Sequence, residues 1–445
     1  MDTISTRQFH RDNSPKLGGS SDFDSLPYLN ELGVQLYTNE QPIKFFDNRN
    51  EFIHRWTPYV QGFSAAFVQS QLDLYKRKVA DLKVLDPFAG CGTVLVQSKL
   101  NGIPSCGTEL NPLLQFIADI KLRSWKIIPQ DLLDTYKALP KNVLSEKPDF
   151  LENGDHFKPE VLQRLQTIKG GIDTIDAKDD SSKLIKDILL VAFASILIDS
   201  SNLVRSPCLG YSKTKVVSRD TPNELMDAKV TMICKDIYKI QQNFSKTIDT
   251  RTDVILANAK THDHDQKYNL VITSPPYMNG LDYVMNYKIE MAWLGFADSQ
   301  TELKRIKDDL VVCDNVSKGL IKKFDDNKNS YTNSWIEVIK RNISNNIATR
   351  GSYRRTDMPS IIHKYFDDMY QVFQKVDSAI TPGGKFVLVV GDSLIADVYI
   401  PTDLLLAKIG KEMGFSIEKI EKARARRSGQ IRSYTLRETI ITLSK

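Results

Sequence analysis

Two short clusters in this chain have residue types and spacing that could do chemistry. The first is Asp86-Pro87-Phe88-Ala89-Gly90-Cys91-Gly92-Thr93. Its glycines allow a sharp bend and let a ligand approach the backbone with no Cβ in the way. Glu109 lies 23 residues after Asp86, at the end of the next apolar segment. A carboxylate there can accept hydrogen bonds from both hydroxyls of a ribose. The spacing is not GxGxxG, so a dinucleotide pyrophosphate is a poor ligand, and no GKS or GKT follows, which excludes a P-loop. An acid at each of two strand tips suits a ligand with a ribose and a cationic amino-acid end. S-adenosylmethionine has both.

The second cluster is Thr273-Ser274-Pro275-Pro276-Tyr277, directly after the apolar run Asn269-Leu270-Val271-Ile272. Two prolines fix φ and remove two N–H donors. The groups left pointing outward are acceptors: the Ser274 hydroxyl and the carbonyls of Ser274 and Pro275. A stiff acceptor row beside an aromatic ring suits a planar group bearing an NH2. The amine donates to the acceptors while Tyr277 stacks on the ring face.

Both clusters need elements to hold them. Lys83-Val84-Leu85 reads as a strand running into Asp86, and the turn leads into a helix, VLVQSKL. A second strand from about Ile103 to Thr108 ends in Glu109. Strand, glycine turn, helix, strand and terminal acid form the first unit of a doubly wound α/β sheet. Upstream, Phe63, Phe67, Val68, Leu72 and Tyr75 fall at helical spacing, which predicts a helix from Ala65 to Arg77 capped by Ser64. Downstream, strands are expected at Val254–Leu256, Asn269–Thr273, 385–393, Phe415–Ile417 and Glu438–Leu443. Helices are expected at 365–380 and 402–413. Ligands of open α/β sheets bind at the carboxyl ends of strands, so both loops are expected to face one crevice.

The segmentation that follows is an N-terminal arm (1–50), a cofactor-binding half of the core (51–124) and a helical insertion (125–250). Next come the catalytic half (251–296), a second, polar insertion (297–361) and a C-terminal part of the core with a basic loop (362–445). The basic stretch from Lys419 to Arg437 holds seven Lys or Arg and one Glu, and Arg350 to Arg355 adds three more cations. Phosphate contact is the expected use of both.

The chain has 445 residues, is 41% hydrophobic and 26% charged, and carries a formal charge of +5. That is enough apolar surface for a sizeable core, and it excludes a disordered chain or a small disulfide scaffold. The charge permits a polyanionic partner without demanding one. The longest apolar stretch, Ile188 to Ile198, broken only by Ser195, has 11 residues, short of the about 20 that span a membrane, and reads as a buried helix. The first residues hold no apolar stretch resembling a secretory signal. Five cysteines with no CxxC spacing argue against a disulfide framework or a zinc site and fit a cytoplasmic protein.

The pair DPFAGCGT and TSPPY resembles the amino-directed DNA methyltransferases, which methylate N4 of cytosine or N6 of adenine. The resemblance covers about 50–115, 250–296 and 362–445. It implies a Rossmann-like class I methyltransferase fold, α/β with a doubly wound, mostly parallel sheet and a large helical insertion. It implies S-adenosylmethionine as cofactor, double-stranded DNA as substrate, a cognate restriction endonuclease as partner, and no membrane or metal. By the resemblance, Asp86, Phe88, Ala89, Gly90, Cys91, Gly92 and Thr93 line the cofactor, Glu109 with Leu110 holds the ribose, and Phe63 is the aromatic of the family's extra cofactor motif. Asn258 stands where the family usually has Asp against the adenine amine. Ser274, Pro275, Pro276 and Tyr277 would bind and activate the flipped base. Serine at the head of that loop resembles the cytosine-N4 subgroup.

Arg205, Arg350, Arg354, Arg355, Arg424, Arg426 and Arg427 are the expected nucleic-acid contacts. Three rival readings stay open at this point: N6-adenine methylation of DNA, methylation of a base amine in RNA such as guanine N2, and an inactive DNA-binding subunit. Ser206-Pro207-Cys208 follows a helical run and lacks a Gln after the cysteine, so it reads as a helix-terminating loop rather than a nucleophile. His262 and His264 read as a solvated loop.

Overall fold

The computed structural model describes residues 19–445 apart from 44, 60–61, 152–154, 207, 279, 281, 314–315, 351–354 and 429–432; for 45–47, 150 and 350 only the backbone is described. Strands in chain order are β1 (Leu36–Thr38), β2 (Val84–Asp86), β3 (Ser105–Glu109), β4 (Leu203–Arg205), β5 (Leu209–Tyr211), β6 (Thr252–Leu256), β7 (Tyr268–Thr273), β8 (Ile380–Gly391), β9 (Ser393–Ile395), β10 (Val398–Ile400), β11 (Ser416–Arg427) and β12 (Thr435–Ser444). The chain is α/β, as the alternation of elements requires. It divides into two compact units.

The unit made of Lys44–Ala257 and Leu281–Lys307 carries the glycine turn. Its strands β2, β3 and β6 run parallel in that order. The apolar run Val84-Leu85 makes β2 buried along its whole length. The helix after the turn, Thr93–Leu100, is buried on every side, which explains why it shows no amphipathic rhythm. The helix Ala65–Lys76 starts where its cap predicts: Ser64 Oγ accepts the Phe67 N–H at 3.0 Å. Residues 125–250 are mainly helical, with the buried helix Asp180–Ile196 over the long apolar run. The small hairpin β4–β5 interrupts them. Asp236, buried in the helix Thr221–Asn243, accepts from the Ile53 amide at 2.9 Å, from Trp56 Nε1 at 3.0 Å and from Arg55. That carboxylate ties the segment leading to the capped helix onto the insertion.

The other unit, Met1–Ile43, Asn258–Gly280 and Asp308–Lys445, carries the prolyl loop. Its sheet runs β1-β11-β12-β8-β7, in which β12 is antiparallel to both neighbours and the remaining pairs are parallel. The helix Met358–Ala379 lays Ile361, Ile362, Tyr365, Phe366, Met369, Val372, Phe373 and Val376 into the core. It starts earlier than its apolar spacing from 365 onward suggests, at an N-terminal proline. The polar stretch 297–361 contains helices at Gln300–Asp309, Lys318–Asp325 and Ser334–Arg350.

The expected basic loop between Lys419 and Arg437 is largely strand. β11 continues to Arg427 and pairs with β12 along its length. Register shifts at Ile417/Lys419 and Lys422/Arg424 break the two-residue alternation that would have marked it as a strand. Arg437, fully buried, donates to Asp403 at 2.9 Å, to Ser25 Oγ at 2.8 Å and to the Ser21 carbonyl at 3.0 Å, so residues of the expected loose arm are packed into this unit. Among the described residues no helix is long and apolar enough to cross a membrane.

Candidate active-site loops

The glycine turn is stitched to β3 by backbone and side chain. The Ala89 N–H reaches the Thr108 carbonyl at 2.9 Å, and Thr108 Oγ1 donates to the Pro87 carbonyl at 2.7 Å. Asp86 Oδ1 accepts the Phe88 N–H at 3.1 Å, which turns the chain back at the strand tip. Gly90 and Gly92 both have positive φ, at 51° and 86°. A Cβ on Gly90 would stand 2.6 Å from the Tyr59 hydroxyl, so only glycine fits there. Tyr59 in turn stacks on Tyr287, with ring centres 6.3 Å apart.

Glu109 braces the turn from the neighbouring strand. Its Oε2 accepts the Gly90 N–H at 2.9 Å and its Oε1 accepts the Asn111 N–H at 2.7 Å. Burial pushes its carboxyl up to about 7, against the opposing pull of the Asn111, Gly90 and Leu110 amides. Each oxygen holds one N–H and keeps a second lone pair, as a pair of ribose hydroxyls would need. Phe63 is buried just before the capped helix, and its carbonyl accepts from Asn48 Nδ2 at 3.3 Å. A glycine turn with positive φ, a carboxyl of raised pKa at the next strand tip and flanking aromatics fit the adenosine and methionine parts of S-adenosylmethionine.

In the other unit, β7 ends at buried Thr273 and delivers Ser274 to Tyr277. Pro275 is buried, and the next residue after Tyr277, Met278, is fully enclosed. Tyr365, also fully enclosed, donates its hydroxyl to the Pro276 carbonyl at 2.9 Å. The Tyr277 ring lies over Gly391 at the end of β8, where a Cβ would stand 3.0 Å from Tyr277 Cε2 and 3.2 Å from Arg426 Nη2. The loop is therefore held by stiff backbone, by a buried tyrosine and by a side chain that lies on bare backbone.

The expected arginines divide by environment. Arg205 does not suit phosphate: its side chain is 8% exposed, pairs with Glu290, donates to the Asn286 carbonyl at 3.0 Å and lies 4.6 Å from the centre of the Tyr287 ring. It braces the β4–β5 hairpin against the helix Lys288–Trp293. Arg355 binds Asp357 at 2.8 Å and the Val316 carbonyl. Arg424 is paired with Glu438. Arg426 lies at the prolyl loop, and Arg427 is exposed at the end of β11. Arg354 lies outside the described residues, and for Arg350 only the helical backbone is described.

Asn258 uses both ends of its amide locally, donating to the Asp309 carbonyl at 2.9 Å and accepting from the Lys260 N–H at 3.0 Å. Among the described residues no group of three His, Cys, Asp or Glu side chains is placed to hold a metal. Sequence reasoning missed Tyr59, Tyr365 and Gly391. The last had a signal: a glycine followed by an acid at the end of an apolar run, Val389-Val390-Gly391-Asp392, which marks close approach at a strand tip.

No family model matches the chain. Type II methyltransferase M.AvaI from Nostoc sp. is 25% identical over 422 residues, covering 85% of this chain and 82% of that protein. Type II methyltransferase M.BsoBI from Geobacillus stearothermophilus is 24% identical over 428 residues, covering 87% and 84%. Type II methyltransferase M.MvaI from Kocuria varians is 23% identical over 415 residues, covering 86% and 87%. The chain carries both loops and is similar along most of its length to these type II methyltransferases, a similarity that implies S-adenosylmethionine as the methyl donor.

Proposed function

We propose that the protein methylates the exocyclic amine of a base flipped out of double-stranded DNA, at a specific site, as the modification half of a restriction–modification pair with a cognate endonuclease. Cytosine N4 is the favoured acceptor over adenine N6. The names of the relatives support the DNA substrate. The observation that carries the chemistry is the clamped prolyl loop, with Tyr365 on the Pro276 carbonyl and Tyr277 seated on Gly391.

An exocyclic amine is a poor nucleophile because its lone pair is delocalised into the ring. Ser274 Oγ and the Pro275 carbonyl accept hydrogen bonds from its two N–H groups and draw the nitrogen toward a tetrahedral geometry, and the one proton that the methylated nitrogen sheds passes to solvent. Tyr277 stacks on the ring and offsets unstacking costs of a few kcal/mol. The bound cofactor supplies a methyl carbon made electrophilic by its sulfonium. Rigid positioning and hydrogen bonding carry the rate, and no covalent bond between protein and base is needed. Asp86, Glu109 and the glycine turn would hold the cofactor, with Phe63 as a further aromatic of its site.

The test uses cofactor tritiated on the methyl group, offered duplex DNA and RNA. Label should enter DNA. Ser274→Ala and Tyr277→Ala should each abolish labelling while cofactor binding, measured by calorimetry, survives. Label retained in both variants, or label entering RNA alone, overturns the proposal.

A further inference from the structure

We propose that Arg426 reads the ring edge of the flipped base, and that this contact selects cytosine over adenine. The inference rests on the proposed DNA amine methylation and names the base that the same pocket accepts.

Gly391 is the pivot. Tyr277 Cε2 and Arg426 Nη2 lie 3.0 and 3.2 Å from the point where its Cβ would be. The ring edge and the guanidinium thus converge within about 6 Å of each other. Any base stacked on Tyr277 has this cation beside it. The guanidinium is oriented as well as near: Nη2 donates to the Asp392 carbonyl, which fixes the plane of the fork.

Arg426 also differs from three of the other cations along β11. Lys419 pairs with Glu421, Lys422 with Asp22 and Arg424 with Glu438. Arg426 has no carboxylate partner among the described residues, and its Nε is buried without any hydrogen-bond acceptor. A buried, unpaired N–H of a charged group is costly to leave unmade. An acceptor from a ligand would satisfy it. Phosphate contact suits Arg427 better, since it is exposed on the next residue and points to the opposite side of the strand.

The chemistry of the two bases then separates them. With the amine on Ser274 and the Pro275 carbonyl, the next positions along the pairing edge of cytosine are N3 and O2. These are two adjacent acceptors, matched to a guanidinium fork. Along the same edge adenine offers N1 and then a C–H, which would leave one donor of the fork facing hydrogen.

The test is a double comparison on duplex DNA carrying the site that the wild-type protein methylates, found by sequencing DNA exposed to it. The target cytosine is compared with 3-deazacytosine, which keeps the amine and O2 but has C–H in place of N3. For wild type the analogue should lower kcat/KM by about tenfold more than it does for Arg426→Met, because the variant has no N3 contact to lose. Arg426→Lys, which keeps charge without the fork, should behave nearer the methionine variant. Each ratio is taken within one protein preparation, so partial misfolding of a variant cancels.

An analogue effect that is equal in wild type and Arg426→Met overturns the inference, as does methylation of adenine by the wild type. Both outcomes leave DNA amine methylation standing. A wild-type protein that labels no DNA base overturns the proposed function itself.

Discussion

Acidification should weaken cofactor binding through Glu109. Its carboxyl is pushed up to about 7 by burial, and the proposed contact with two ribose hydroxyls requires it as the acceptor-only carboxylate. With that midpoint, moving from pH 7.5 to 5.5 lowers the ionised fraction on the order of 25-fold, and affinity for S-adenosylmethionine should fall by about the same factor. Glu109→Gln has nothing to ionise in this window. It should bind weakly and with no such slope, and it also serves as the control for titration of the cofactor's own groups. The same shift acts on stability with a definite sign. The folded carboxyl keeps its proton up to about 7, whereas the unfolded one releases it near the ordinary value of 4.5. Between these values the folded state binds more protons, so stability without cofactor falls as pH rises, by at most about 3 kcal/mol in total. Glutamine removes that loss but can accept only one of the Gly90 and Asn111 amides, which returns about 1 kcal/mol. Isothermal calorimetry across pH 5.5–7.5 reads the first effect and denaturant melts of the cofactor-free protein read the second. A wild-type affinity that is flat across that range, or a glutamine variant with the wild-type slope, refutes the reasoning.

Tyr365→Phe removes the hydroxyl that holds the Pro276 carbonyl at 2.9 Å. It should cost about 1 kcal/mol in a denaturant melt and lower kcat while cofactor affinity stays unchanged; a lowered affinity with normal kcat would contradict the clamp. Arg205→Ala leaves Glu290 buried without its guanidinium partner, and should destabilise by about 3 kcal/mol while the salt dependence of DNA binding is unaltered. A flatter salt slope in that variant would restore Arg205 to the DNA interface. Arg427→Ala should reduce the slope of log affinity against log salt by about 0.9, and an unchanged slope removes this residue from the phosphate contacts.

The parts of the fold that were legible in the sequence were those where one local signal governs. Ser64 capped its helix as expected because a serine before an apolar helical face has few other uses. The turn after β2 was legible because two glycines at that spacing serve a backbone of positive φ. Tyr59 and Tyr365 were not legible. Each matters through a contact to a segment distant in sequence, Gly90 for one and Pro276 for the other, and no spacing rule encodes such a contact. β11 was hidden for a different reason. Its bulges scramble the alternation, and its charged composition imitates a solvated loop.

Charge was where composition misled most. Counting cations from Lys419 to Arg437 treats each as available to phosphate, yet the fold engages them unequally. Arg437 is enclosed with Asp403 and Ser25, Arg424 is matched to Glu438, and Lys422 to Asp22. A guanidinium in such a pair offers a polyanion little net field, because its partner carboxylate screens it at close range. The functional weight therefore moves from the cluster to its exceptions. Arg427 is exposed and suited to phosphate, whereas Arg426, with a buried Nε that no described acceptor meets, is suited to a ligand that enters beside Tyr277. Cations that lack a carboxylate partner among the described residues are better candidates for the proposed interface than the local charge sum suggests, and they become visible only once each carboxylate has been assigned its partner.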